Sequence, residues 1–230
     1  MNDFFQNSVF VGVTISLLAY MAGDWLRKKW KIALINPLLI SIIVTILVLL
    51  AGKVEYDIYM EGAQYLSWLL TPATICLAIP LYEKWELLKK NRKAVIAGLV
   101  SGVSISLVTN LVLAILFELT HEEYVTLIPK SVTVAIGIGL CEELGGYVTI
   151  TIAVIVITGV LGNIIAEPVL KLFRITEPVA KGIAIGTSCH AMGTAKAMEI
   201  GEIEGAMSSL SIAVAGILTV VASIVFTYFR

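Results

Sequence analysis

Six long stretches of this chain carry no Asp, Glu, Lys or Arg: Phe4–Gly23, Ile32–Gly52, Gly62–Tyr82, Ala94–Phe117, Leu144–Ala166 and Gly205–Phe229. The hydrocarbon core of a bilayer is ~30 Å thick, so about 20 apolar residues in a helix cross it. Each stretch is long enough. Only 14% of the 230 residues are charged and 58% are hydrophobic, whereas a globular domain carries roughly 25% charge. A soluble chain this apolar could not cover its core. The sequence therefore predicts an all-α polytopic membrane protein, multi-pass in a cell membrane and immersed in a lipid bilayer. The net charge of −1 and the lack of a basic domain leave no basis for nucleic-acid binding. Cys76, Cys141 and Cys189 all fall in apolar segments and read as free thiols rather than a disulfide framework. The first run lacks the basic region and small-residue site of a cleavable signal.

Loop charge orients the spans. Residues 24–31 (DWLRKKWK) and 83–93 (EKWELLKKNRK) are basic, whereas 53–61 (KVEYDIYME) and 118–125 (ELTHEEYV) are acidic or nearly so. Basic loops stay in the cytoplasm, which puts the N-terminus outside and runs Ala94–Phe117 outward. The loop 167–181 carries Lys171, Arg174 and Lys181 against two glutamates and is placed inside. One crossing, Leu144–Ala166, then separates the outer loop from it. Residues 128–143 must enter and return from outside, and residues 182–204 from inside. The expectation is six full spans plus two re-entrant or broken-helix segments. The alternative is eight spans, because PATICLAIP (72–80) resembles PKSVTVAIG (129–137), as parallel repeats would.

Three segments place helix breakers and hydroxyls at membrane depth: LLTPATICLAIPLY (69–82), IPKSVTVAIGIGLCEELGG (128–146) and GIAIGTSCHAMGTAKAMEIGEIEGAMSSLSIAVAG (182–216). Irregular backbone at that depth must be buried in protein or line a wet cavity. In secondary transporters such broken helices form the substrate site, with half-helix N-termini aimed at anionic groups. The candidate substrate-binding residues are accordingly Pro72, Thr74, Lys130, Ser131, Thr133, Ser188, His190, Gly193 and Thr194. The break in the third segment is expected at Gly186, with Thr187 or Ser188 capping the helix that follows. An intramembrane lysine costs about 2.5–3.5 kcal/mol or more, a cost usually tolerated where an anion partner exists. A cation beside helix N-termini points to a small carboxylate substrate.

Histidine is the side chain most easily titrated between about pH 5 and 8, and His190 and Glu199 are the candidates for proton coupling. The plainer alternatives stand beside these: prolines that only kink helices for packing, a packing histidine, and an interfacial Lys196–Glu199 pair. Gly98/Gly102, Gly201/Gly205, Gly159, Gly162 and Asn163 read as close-packing positions. No catalytic motif, zinc-ligand pair or Cys–His nucleophile is present, so neither an enzyme, a metal site nor a cofactor is expected.

LLTPATICLAIPLYE, PKSVT and GIAIGTSCHAMGTAKAMEIGEIEGAMSSL together resemble the LrgB/CidB family, antiholin-like membrane proteins of bacteria. The usual family pattern around the histidine is Ser-Ser-His-Ala-Ile-Gly; here Cys189 and Met192 replace the second Ser and the Ile, which puts a hydroxyl role at 189 in doubt. The resemblance covers essentially the whole chain and implies one integral membrane domain, 1–230, in the bacterial cytoplasmic membrane. It implies a small holin-like LrgA/CidA-type partner and a link to murein hydrolase control, autolysis (cytolysis) and programmed cell death. Relatives include a plant plastid glycolate/glycerate translocator, and some bacterial pairs are implicated in pyruvate transport. The resemblance thus implies a proton-coupled carrier of small monocarboxylates; the alternative is a non-transporting regulatory subunit of a holin-like oligomer. Homo-oligomerisation is open on the sequence.

Overall fold

The computed structural model describes residues 10–30, 36–69, 72, 75, 76 and 78–230. All of the regular structure among them is helical. The chain divides into two compact units, Met1–Cys76 and Leu77–Arg230.

In the first unit, α1 (Phe10–Trp30), α2 (Pro37–Gly52) and α3 (Tyr56–Trp68) follow one another. Asn36 starts α2: its Oδ1 accepts from Leu38 N at 2.8 Å and Leu39 N at 3.3 Å, with Pro37 next in line, so the exposed donors of the first turn are satisfied. Glycines bring the backbones close. A Cβ at Gly12 would lie 2.6 Å from Tyr59 O, and one at Gly23 2.6 Å from Pro37 O. Ser16 and Tyr59 share a 2.7 Å hydrogen bond beside the first contact. The expected third span, Gly62–Tyr82, is not a single helix. α3 starts earlier, at Tyr56, and ends at Trp68, with Leu69 turning. Helix α4 (Ala78–Glu83) already belongs to the second unit.

The second unit continues with α5 (Trp85–Lys90), α6 (Arg92–Leu116), α7 (His121–Leu127), a 3-10 turn (Ile128–Ser131), α8 (Val134–Leu144), α9 (Val148–Leu172), α10 (Pro178–Ile200) and α11 (Glu202–Phe226). Three of these are long and apolar enough to cross a membrane: α6, α9 and α11 with its 3-10 extension to Phe229. Their bounds lie within about two turns of the expected spans. The remaining apolar segments double back.

Between α6 and α9 the chain forms an outer hairpin. α7 opens with a capping box in which Thr120 and Glu123 satisfy each other's backbone donors. The chain then descends along α6, with Leu127 beside Asn110 and Lys130 beside Ser106. It breaks at Val132 and Thr133, both extended, and α8 climbs back along α9. Gly137 lies against Ile155, Cys141 bonds Thr151, and Gly146 sits beside Thr126. Gly145 closes α8 at φ 77, a left-handed position that favours glycine.

α10 is the inner hairpin. Its helix is interrupted at His190, whose φ of 44 and ψ of −138 reverse the chain. Residues 178–189 run beside α11: Gly182 meets Glu204 and Gly186 meets Ser208. Residues 191–200 return, with Thr194 on Ser208 and Gly193 back against Ile185 and Cys189. The same returning arm follows α9, matching Met192 to Asn163 and Lys196 to Glu167. Both segments are therefore re-entrant, and these contacts exclude the eight-span alternative for them. The expected break at Gly186 is corrected. Gly186 lies inside a regular arm, where a Cβ would come within 2.5 Å of Ser208 O, so its small size serves packing, and the reversal falls at His190.

α6 with the outer hairpin and α9 with the inner hairpin share one plan run in opposite directions. Each long helix carries an asparagine whose amide donates to a hairpin carbonyl: Asn110 Nδ2 to Leu127 O at 2.7 Å, and Asn163 Nδ2 to Met192 O at 2.9 Å. One end of the unit gathers Leu119, His121, Tyr124, Phe226 and Arg230. The opposite end gathers Lys84–Glu202, Lys181–Glu204 and Glu167–Lys196–Glu199. The loop charges assign the second end to the cytoplasm. In a background free of native cysteines, Glu122→Cys is expected to react with a membrane-impermeant thiol reagent on intact cells. Lys171→Cys is expected to react only after the membrane is opened, and reaction at 171 on intact cells would reverse the assignment.

Candidate functional site

The two hairpins approach each other near the middle of α9, the outer one against residues 151–155 and the inner one against 159–167. The 3-10 turn Ile128–Ser131 packs against both α10 and α11. This is where both hairpins break their helices, and where backbone groups lack the partners an unbroken helix would give them.

Lys130 is the central group. Its Nζ donates to Ser106 Oγ at 2.6 Å and to Ser131 Oγ at 3.1 Å, and the two serines are 3.4 Å apart. Among the described residues no carboxylate pairs with it. Other sheltered lysines of the second unit do reach an acid: Lys84 has Glu202, Lys181 has Glu204, and Lys196 has Glu167 and Glu199. Hydroxyls can solvate an ammonium but cannot neutralise it. Lys130, Ser131 and Thr133 share one hairpin tip. Ser106 is a further member that the sequence reading misses. Its only signal is a hydroxyl in the middle of the run GVSISL, too common a feature to single out.

His190 forms the opposing tip. It is 3% exposed, and its Nε2 is 3.0 Å from Ile155 O. A carbonyl only accepts, so Nε2 carries the hydrogen, and the proton exchanged on titration belongs to Nδ1. A left-handed φ in a non-glycine residue costs on the order of 1–3 kcal/mol and persists only where packing fixes it. The packing is visible. Gly159 leaves room for the ring, since a Cβ there would stand 2.7 Å from His190 Cε1 and 2.7 Å from Met192 Sδ. Gly162 makes similar room for Cys189. Thr194 Oγ1 donates to His190 O at 3.0 Å and bonds Ser208 Oγ at 2.7 Å, tying the returning arm to α11.

The other candidates fall elsewhere. Ser188 is exposed just short of the tip, its hydroxyl donating to Ala184 O at 2.6 Å. Gly193 serves the close approach of the hairpin arms. Glu199 is not brought to His190. It lies at the far end of the returning arm, 3.1 Å from Lys196 Nζ, and lines a cavity of about 720 Å³ together with Lys171 and Arg174. Lys196 also reaches Glu167 at 2.7 Å, a partner separated from it by a loop and not evident from spacing. Pro72 is an exposed helical residue of the first unit, and Thr74 lies outside the described residues. Cys141 and Cys189 are buried free thiols as expected, whereas Cys76 is exposed.

A helical bundle in which two oppositely directed re-entrant hairpins meet at a part-buried cation defines a multi-pass membrane protein with a polar centre. The LrgB-like family model matches residues 16–229, and the chain belongs to that family. It is 34% identical over 219 residues, 95% of each chain, to the Holin-like protein CidB of Staphylococcus aureus (strain N315) and to that of Staphylococcus epidermidis (strain ATCC 12228 / FDA PCI 1200). It is 32% identical over 206 residues, 90% of each chain, to the protein YxaC of Bacillus subtilis (strain 168). No solved structure matches it. Family membership and the apolar spans make it a multi-pass protein of the bacterial cell membrane.

The tip geometry predicts a contrast between two glycines. Gly159→Ala is expected to lower the unfolding midpoint in detergent, by overpacking of about 1–3 kcal/mol, because its methyl meets the fixed His190 ring. Gly139→Ala meets nothing within 4 Å and is expected to be neutral or to stabilise by about 0.4–1 kcal/mol. Equal midpoints for the two variants would contradict the packing of the inner tip.

Proposed function

We propose that this protein is a proton-coupled carrier of small monocarboxylates, of the pyruvate, glycolate or glycerate class, and that it binds them between the two hairpin tips. The single observation that carries the reading is Lys130, a cation bonded to Ser106 and Ser131 and left without a carboxylate among the described residues. A carboxylate supplies the missing charge. The bound anion takes one or more hydrogen bonds from Lys130 Nζ, with Ser131 and Thr133 as further donors at the same tip. Charge-assisted bonds of this kind are roughly twice as strong as neutral ones. Ser188 and Thr194 border the opposing tip. Pro72 belongs to the first unit and has no assigned part in this site, and Thr74 lies outside the described residues.

His190 is the proposed proton carrier. With Nε2 fixed on Ile155 O, the exchangeable proton sits at Nδ1. Glu199 is a second candidate through its pair with Lys196, at the cytoplasmic exit rather than the binding point. The oppositely directed hairpins support alternating access, since each can act as the gate for its own side. The name of the staphylococcal relatives, holin-like, supports a small LrgA/CidA-type membrane partner and an effect on murein hydrolases and autolysis. In this reading that effect follows from carboxylate flux. The second reading, a regulatory subunit that transports nothing, draws on the same name.

Two measurements in proteoliposomes separate these readings. Lys130→Gln is expected to reduce labelled-pyruvate uptake at least about tenfold at matched protein abundance, a loss of about 1.4 kcal/mol or more. Lys89→Gln, in an exposed pair with Glu86, is expected to change it little. Equal effects remove Lys130 from the site, and absence of uptake in the native protein, with and without its partner, favours the regulatory subunit. His190→Gln is expected to abolish pH-driven accumulation while equal-pH exchange, which moves no net proton, is largely retained. A normal pH-driven gradient in that variant would make His190 a packing residue.

A further inference from the structure

We propose that the groove between α6 and the first arm of the inner hairpin is the water-filled passage connecting the cytoplasm to Lys130, and that the described conformation is open to that side; this rests on the carrier reading above. The groove holds a cavity of about 460 Å³, room for on the order of ten waters. Asn91 and Glu177 line its cytoplasmic end, Ser101 and Gly102 its middle, and Ile105 and Ser188 its deep end.

Helical spacing shows where it leads. Gly98, Gly102 and Ser106 follow at intervals of four and share one face of α6. Gly98 faces Ile183, Gly102 faces Thr187, and Ser106 holds the Lys130 ammonium. The face that walls the groove ends on the cation that has no described acid.

The lining is largely apolar, from Ala94, Ile105, Val179 and Ile183 among others, with hydroxyls set into it. Ser101 and Ser188 are exposed hydroxyls set into the groove. Each donates to its own helix, to Gly98 O at 3.0 Å and to Ala184 O at 2.6 Å. Their lone pairs are left to accept from water, which acyl chains cannot supply. Among the exposed apolar side chains of α6, Ile96, Val100 and Val112 do not line the groove, whereas Ile105 lines its deep end. Glu177 is the charged residue of the lining, while Asn91 is flanked in sequence by Lys90 and Arg92, and cations near a mouth raise the local concentration of small anions.

The test is thiol accessibility in inside-out vesicles carrying the full chain without native cysteines. Ser101→Cys, Ser188→Cys and, as the apolar-face reference, Val100→Cys are each exposed to a small anionic methanethiosulfonate. Positions 101 and 188 are expected to react at least about tenfold faster than 100. Pyruvate is expected to slow the reaction at 188, and Lys130→Gln to remove that protection. If 101 and 188 react no faster than 100, the groove is dry and the passage is overturned, while Lys130-dependent uptake would still stand. If both react fast but no monocarboxylate protects 188, the groove is wet without being the carboxylate route, and the proposal fails. Loss of uptake in the native protein at the same time would show that the carrier reading had failed with it.

Discussion

A part-buried ammonium with two serine hydroxyls and no described carboxylate organises the centre of this protein. Placing a lysine at membrane depth costs about 2.5–3.5 kcal/mol or more. Two hydroxyls recover part of that cost. The arrangement around Lys130 requires that the outer hairpin descend far enough to bring Ser131 beside Ser106. It also requires that the inner hairpin rise far enough to shield the tip from lipid. The long helices serve this geometry: Asn110 and Asn163 each hold a hairpin arm through a carbonyl.

The inner hairpin is fixed at both ends by different physics. Its apex depends on space, with His190 in a left-handed conformation accommodated by the bare backbones of Gly159 and Gly162. Its base depends on charge, with Glu167–Lys196–Glu199 on one side and Lys181–Glu204 on the other. The base pairs are sheltered, with Glu204 buried and the Lys196 side chain 15% exposed, so removing one partner leaves a poorly solvated charge and costs more than at a surface pair. The apex cannot shift without moving the His190–Ile155 hydrogen bond.

Much of the fold is legible in the sequence. Uncharged runs locate α6, α9 and α11, and loop charge requires both segments between them to turn back, which the contacts bear out. A proline at membrane depth marks the segment that carries Lys130, Ser131 and Thr133. The break point of the inner hairpin is not legible. Gly186 looks like the breaker because glycine permits unusual dihedrals, yet tertiary packing uses its small size and puts the strain on His190 instead. Ser106 and Glu167 escape notice because their roles depend on partners brought near by the fold, and nothing local marks such a pairing. The Lys196–Glu199 pair is legible from its spacing, but its distance from the His190 tip is not, because spacing alone does not tell where the chain reverses.

One binding measurement tests the carboxylate site most directly. The purified protein is titrated with pyruvate and with its uncharged amide while the thermal unfolding midpoint is followed, in native form and as Lys130→Met. Binding to the folded state raises the midpoint by mass action. A carboxylate site at Lys130 predicts a shift with pyruvate, none with the amide, and loss of the pyruvate shift in the variant. A shift that is equal for the two compounds, or one that survives Lys130→Met, would contradict a carboxylate site at the meeting of the hairpins.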